Sequence, residues 1–309
     1  MQLYNKSDLS GIDAAVTYYA TGEILSVQVI KGKDGWLFYK SVGDGDTLAD
    51  YEGTNRQAAE ELEEIANTVL MTQKEIEDKG IEFVIMVAPN KENIYAEYMP
   101  DIYSHAAESS TDIMIEYLQN KGVNIVSPKE TLLNKHLDSE LYFRYDTHWN
   151  QLGAYMAVRD TLLSWDIAVP ELSNRVVTAK GLKGKYHYGA EADLAEMAGL
   201  REIFSDEIEY EVEGTVSVDW MVYELEQNSG EVSYFYNEQA KCNATVLLIG
   251  DSFRSAMIPS LNEQFTDVYV VHRWKYTQGI VDSISPEYMI VEYVERYSDD
   301  MRGIDAFEW

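Results

Sequence analysis

The sequence predicts an α/β fold built on a parallel sheet, and three observations carry this. Short apolar runs recur at residues 81–88, 123–126, 245–249, 268–271 and 288–294. A run that is apolar on both faces reads as a buried parallel strand. Helical spacing separates several of these runs, and the alternation of helix and strand implies βαβ units with right-handed crossovers. The run at 245–249 passes through Gly250-Asp251-Ser252-Phe253 into helical spacing at Met257, Ile258, Leu261 and Phe265. That puts Ser252 at the carboxyl edge of the sheet, where open α/β folds keep their ligands.

Composition narrows the function classes. The 309 residues suffice for one large α/β domain, and we read 1–309 as such a unit with a β-rich insertion at 166–240. With 24 Lys and Arg against 54 Asp and Glu, the formal net charge is −30. A surface of that sign repels nucleic acid and anionic lipid, so neither is expected as a partner. Cys242 is the only cysteine, which excludes an intramolecular disulfide and a Cys-based metal site. We assign no metal and no cofactor. No apolar run approaches the ~18 residues of a membrane span, and no secretory signal is visible.

In chain order, residues 1–24 are polar and mixed and are expected to pack loosely. Residues 27–39 read as a β-hairpin, because Val27 and Val29 alternate, Asp34-Gly35 signals a turn, and Trp36, Phe38 and Tyr39 follow. The Gly- and Asp-rich stretch 41–53 lacks the spacing of a calcium loop and reads as solvated loop. Residues 54–79 form an amphipathic helix. Thr54 and Gln57 make a capping-box pattern, Leu62, Ile65, Val69 and Ile76 line one face, and Gly80 suits the end. The strand at 81–88 delivers Pro89-Asn90-Lys91 to its carboxyl end. A helix at 111–121 closes at Gly122, a short strand follows at 123–126, and 131–137 reads as helical. A helix continues from Leu152 to Leu163. Residues 169–188 read as irregular and 193–204 as a short helix. Residues 207–220 alternate as a hairpin about Gly214, with Ile208, Tyr210 and Val212 on one side. Residues 232–236 add a strand.

Two stretches carry chemistry. Serine needs a base to act as a nucleophile at neutral pH, and histidine is the usual one. Asp146 and His148 stand at i and i+2 just before a helix, and an acid so placed fixes the imidazole tautomer and stabilises its cation. Taken alone, Gly-Asp-Ser also fits an ordinary strand-to-helix turn with Ser252 as N-cap, and His148 also fits a structural histidine. Asp251, Trp149, Lys91, Arg273 and Arg296 are candidates for substrate or oxyanion contact. For Lys91, a solvated surface lysine is the plainer reading.

Six stretches, taken together, resemble a known family. They are residues 32–39 (GKDGWLFY), 89–91 (PNK), 146–150 (DTHWN), 193–195 (DLA), 250–253 (GDSF) and 295–296 (ER). In this order the chain resembles the SGNH-hydrolase superfamily with a circular permutation, as in the alginate O-acetyltransferase type, also called DHHW proteins. The resemblance implies a flavodoxin-like three-layer sheet. It implies a triad of Ser252 as nucleophile, His148 as base and Asp146 as its orienter. Two departures stand out. No Gly-x-Asn-Asp stretch supplies the usual oxyanion donors, and the corresponding strand ends instead in Glu295-Arg296. The resemblance further implies a polysaccharide acceptor, an extracytoplasmic site and a membrane-bound O-acyltransferase as acetyl donor.

The reading that follows is O-acetyl transfer to a cell-envelope or secreted polysaccharide through an acetyl-serine. A carbohydrate acetyl esterase would use the same three residues, with water in place of the sugar hydroxyl. A non-catalytic glycan-binding assembly protein of the same fold is the third reading, and the intact Ser252, His148 and Asp146 argue against it.

Overall fold

The computed structural model describes residues 6–136, 138–183, 192–204, 206–218, 232–307 and 309. β1 (Val29–Lys31) and β2 (Leu37–Tyr39) pair as the expected antiparallel hairpin. β3 (Glu82–Ala88) and β4 (Ile125–Val126) are parallel neighbours. β5 (Val177–Lys183) and β6 (Asp206–Val212) make a separate antiparallel pair. β7 (Ser233–Tyr236), β8 (Cys242–Gly250), β9 (Phe265–His272) and β10 (Tyr288–Val294) complete the set among the described residues. The main sheet runs β4-β3-β10-β8-β9-β7, with β7 antiparallel at the edge and the rest parallel.

Alternate residues of each central strand enter different cores, which is why these runs are apolar on both faces. Val84, Met86, Val246, Leu248 and Ile290 face the helices Gln151–Leu163 and Ile258–Gln264. Phe83, Ile85, Leu247, Ile249, Met289 and Val291 face the helices Ala59–Asp78 and Ser110–Lys121. The result is three layers with the carboxyl ends of β8, β10 and β3 side by side.

Several elements differ from expectation, each for a local reason. Residues expected to pack loosely form the helix Lys6–Thr21, whose Ala14, Ala15 and Tyr18 lie against a small core containing Leu200 and Phe204. The long helix begins at Ala59, not Thr54. The Glu61 carboxylate accepts the Ala58 N–H at 2.8 Å, and Gln57 spends its amide on Asp299. The helix expected at 131–137 spans Lys129–Leu133. Phe265, expected to end a helix, opens β9.

The segment 169–188 is not irregular where it is described: it contains β5, and β5 is the partner of β6. The hairpin expected within 207–220 is therefore not formed through residue 218, and Trp220 lies outside the described residues, as do 184–188. The phase of the alternation is also reversed. Glu207 and Glu209 are buried and Ile208 and Tyr210 half-buried, and only at the end of the strand, with Glu211 exposed and Val212 buried, does the apolar side turn inward.

Candidate active site

The loop 141–150 is a tight reversal. Tyr142 and Trp149 form an antiparallel bridge, and the Phe143 N–H donates to the His148 carbonyl at 3.1 Å. Asn150 then caps the helix Gln151–Leu163, its Oδ1 accepting from the N–H groups of Leu152 and Gly153 at 3.0 and 3.1 Å. Gly153 is required here, since a Cβ would lie 2.4 Å from the Leu141 carbonyl oxygen.

Asp146 and His148 occupy this loop, and Ser252 meets them from the end of β8. The His148 Nδ1 lies 2.7 Å from Asp146 Oδ1, and its Nε2 lies 2.6 Å from Ser252 Oγ. Asp146 is fully buried and Ser252 is exposed. Two further acceptor sites of Asp146 are filled by the N–H groups of His148, at 2.9 Å, and Asp193, at 3.0 Å. Burial alone would push the Asp146 carboxyl up and the His148 imidazole down. The charge and hydrogen bond each offers the other outweigh burial, so Asp146 is lowered and His148 is raised.

Asp193 is a site residue that its motif flagged but no role was attached to. Its Oδ1 accepts the Thr147 N–H at 2.8 Å, and its Oδ2 lies 3.8 Å from His148 Nδ1. Burial first, and then the Asp146 charge, raise its own carboxyl. One oxygen or nitrogen of each of Asp146, His148 and Asp193 lies within 4.8 Å of the others. Those atoms are engaged with one another and with Thr147, so the imidazole is held with Nε2 toward Ser252.

On the serine side, Asp251 turns the chain. Its Oδ1 accepts the Phe253 N–H at 3.0 Å, and its Oδ2 accepts the Val294 N–H at 2.7 Å, tying the end of β8 to the end of β10. Gly250 leaves room for the buried Glu292, whose Oε2 accepts the Asp251 N–H at 2.9 Å. Phe253 packs its ring 4.8 Å from the His148 ring, and the Trp149 indole N–H donates to the Phe253 carbonyl at 2.9 Å. Asp251 and Trp149 thus brace the site from beneath and do not line it.

Two candidates lie elsewhere than expected. Lys91 is neither solvated nor free for substrate. It is 3 % exposed, and its Nζ donates to the carbonyls of Phe143, Arg144 and Asp146 at 3.1, 3.2 and 2.7 Å. It sits against the Trp36 and Phe38 rings of the hairpin, and burial lowers it to about 8 even though Glu207 opposes the shift. Arg273 is buried under the rings of Trp274, Tyr293 and Tyr297 and pairs with Asp300 at 2.6 Å.

Arg296 does stand beside the site. Its guanidinium lies 5.6 Å from the Phe253 ring centre and 5.7 Å from that of Tyr39, and it lines a small cavity with Asn90 and Thr147. Its charge depresses the His148 pKa, against the larger pull of Asp146 and Asp193. The buried Asn90 amide facing this cavity has no hydrogen-bond partner among the described residues.

Sequence reasoning missed the support supplied by β6. The Glu207 carboxylate accepts the N–H groups of Arg144 and Tyr145, and Glu209 accepts that of Gln151 at 3.0 Å. Burial raises these carboxyls to about 7 and about 8. The available signal was the run Glu-Ile-Glu-Tyr-Glu in a strand, where one face must be acidic.

Residues 29–285 match the family described as "SGNH hydrolase-like domain, acetyltransferase AlgX". The chain is 29 % identical over 129 residues to the "Probable alginate O-acetylase AlgJ" of Pseudomonas aeruginosa, a match covering 41 % of this chain and 30 % of that relative. The fold is similar to that of a DHHW family protein from Eubacterium siraeum, with a TM-score of 0.58, 17 % identity and coverage of 91 % of this chain and 98 % of the other. It is also similar to Bacillus cereus PatB1 solved with a sulfonyl adduct, with a TM-score of 0.62, 14 % identity and coverage of 89 % and 97 %. Among the described residues, no helix is long and apolar enough to cross a membrane.

Proposed function

Since this chain belongs to the SGNH hydrolase-like acetyltransferase family of the AlgX type, we propose that it transfers acetyl groups to hydroxyls of a polysaccharide through an acetyl-Ser252 intermediate. The observation that carries this is the unbroken line Asp146–His148–Ser252, with contacts of 2.7 and 2.6 Å ending on an exposed hydroxyl.

In the reaction, His148 Nε2 takes the Ser252 proton as Oγ bonds to the acetyl carbonyl carbon. Asp146 holds Nδ1–H and stabilises the imidazolium. The Ser252 N–H and the nearby Arg296 charge stabilise the tetrahedral oxyanion. Collapse breaks the bond to the donor's leaving oxygen, which receives the proton from His148. An acceptor hydroxyl then gives its proton to His148 and attacks the acetyl-serine. The second collapse releases the acetylated sugar and returns the proton to Ser252.

A membrane-bound O-acyltransferase as acetyl source and an extracytoplasmic location go with this reading. The exposure of Ser252 supports a second one, in which water takes the place of the sugar hydroxyl and the chain is a carbohydrate acetyl esterase.

The test offers purified protein a chromogenic acetyl ester with and without oligosaccharides and follows products by mass spectrometry. Acetylated oligosaccharide that disappears in Ser252→Ala and His148→Ala, each by at least about a thousandfold, supports transfer. Acetate release that no sugar diverts supports the esterase. Turnover that survives in Ser252→Ala overturns both.

A further inference from the structure

β9 runs parallel to β8 with His272 opposite Gly250. Two residues beyond that pair stand Ser252, past the end of β8, and Trp274, past the end of β9, so Trp274 leaves the sheet at the same edge as the nucleophile. Trp274 is 63 % exposed, whereas Trp36, Trp149 and Trp309 are buried. This exposed indole has three neighbouring groups. The Arg273 guanidinium lies 4.8 Å from its ring, His272 stacks at 5.0 Å, and Tyr297 meets it edge-on at 5.6 Å. His272 is kept neutral near neutral pH, because burial, with the charge of Arg254, lowers it to about 4. Little side-chain entropy is left to lose when a ligand lands there.

Tyr297 continues from Trp274 into a cleft of about 420 Å³, lined also by Asp44, Asp46, Arg296, Asp299 and Asp300. The nearby cations are largely committed. Arg273 is 4 % exposed and paired with Asp300, and Arg296 lies among the rings of Tyr39, Phe253 and Tyr297. Lys275 remains, against Asp44, Asp46 and Asp299, which accept hydrogen bonds but have no ion pair among the described residues, and a chain of net charge −30.

We infer that Trp274 is the stacking platform for the acceptor glycan, and that this acceptor is a neutral pyranose chain and not a polyuronate. The C–H face of a pyranose fits the electron-rich face of an indole. Its hydroxyls suit carboxylate acceptors, which would repel a uronate. The inference rests on the reading of Ser252 as an acyl carrier for a polysaccharide.

The test is calorimetric binding to the Ser252→Ala protein, so that binding is read without turnover. The probes are N-acetylchitohexaose, cellohexaose and hexamannuronate. At least one neutral hexasaccharide is expected to bind more tightly than hexamannuronate. Adding Trp274→Ala should weaken that binding at least about tenfold, Trp274→Phe should retain most of it, and Tyr236→Ala, an exposed aromatic on β7, should change nothing. Equal binding with and without Trp274→Ala, tighter binding of hexamannuronate, or no neutral hexasaccharide bound at millimolar concentration each overturns the inference. Ester turnover by the wild-type protein is followed separately. Ser252-dependent turnover with an inert Trp274 sinks only the platform, whereas glycan binding through Trp274 without such turnover sinks only the acyl-serine.

Discussion

The indole N–H of Trp149 donates to the carbonyl of Phe253 at 2.9 Å, so the residue after His148 is bonded to the residue after Ser252. The two stretches are 104 residues apart in the chain, and this buried bond, with the Trp149–Phe253 ring contact at 5.3 Å, is among the contacts that hold their spacing. Trp149→Phe keeps an aromatic ring at the site, removes the donor and leaves a small void. It should lower stability by about 1–3 kcal/mol, the cost of an unsatisfied buried carbonyl. It should also lower kcat by about 10–100-fold with a smaller change in KM, because the nucleophile and base lose registration. Steady-state kinetics beside urea unfolding checks both.

The base sets the acid limb of activity. His148 must be neutral to accept the serine proton, and its pKa is raised, so activity should climb with pH through a midpoint above the ordinary histidine value. Asp193 raises His148 and Arg296 lowers it. Asp193→Asn should therefore move the limb to lower pH and Arg296→Gln to higher pH. Profiles of kcat/KM for the free protein measure this, and shifts of the same sign in both variants would contradict it.

Stability follows the same linkage with the signs kept apart. The raised His148 contributes stability that is complete below its unfolded pKa and is lost as pH rises through the folded value. The lowered Asp146 contributes stability present above its unfolded pKa and lost as pH falls through the folded one. His148→Ala should thus flatten the alkaline side of the stability curve near neutrality, and Asp146→Asn the acidic side below the ordinary carboxylate range. Urea midpoints across pH read out both.

Lys91→Met removes a buried cation from three carbonyls and from the Glu207 charge. The loss should be at least about 1–3 kcal/mol, the cost of leaving a buried acceptor without its donor. Turnover of an acetyl ester should fall with it, since Asp146 supplies one of those carbonyls. Unchanged turnover in a folded Lys91→Met protein would show that the loop holds its shape without the lysine.

At Gly250 an added Cβ would stand 2.4 Å from Glu292 Oε2 and 2.9 Å from its Cβ. Gly250→Ala should cost about 1–3 kcal/mol as an overpacked site. In the Glu292→Ala background the added cost of Gly250→Ala should shrink, and a double-mutant cycle in urea measures that coupling.

The parallel sheet was legible because its strands are buried on both faces. β10 was read residue for residue at 288–294, and the αL Gly122 ends its helix as expected, with φ 95°. The meeting of Ser252, His148 and Asp146 was legible because hydroxyl, imidazole and carboxylate are chemically distinct residue types. The supporting charges were not. Lys91 and Glu207 look like surface residues in sequence, and only their meeting over the 143–146 backbone makes burial tolerable. Alternation in β6 fixes which residues share a face but not which face turns inward. The start of the long helix was misread because Gln57 finds its partner in Asp299, at a separation no local pattern reveals.

Among the described residues the β5–β6 pair has only two strands, yet its inner carboxylates grip the loop that carries His148. A two-stranded ribbon is marginal by itself and is a natural place for the native structure to open first. Local opening there would release His148 from Ser252 while the six-stranded sheet stays intact. Heat or denaturant should then silence the enzyme before the bulk of its helices melt. Recovered activity should mark the last step of refolding, and a partly folded chain in transit would carry an inert serine.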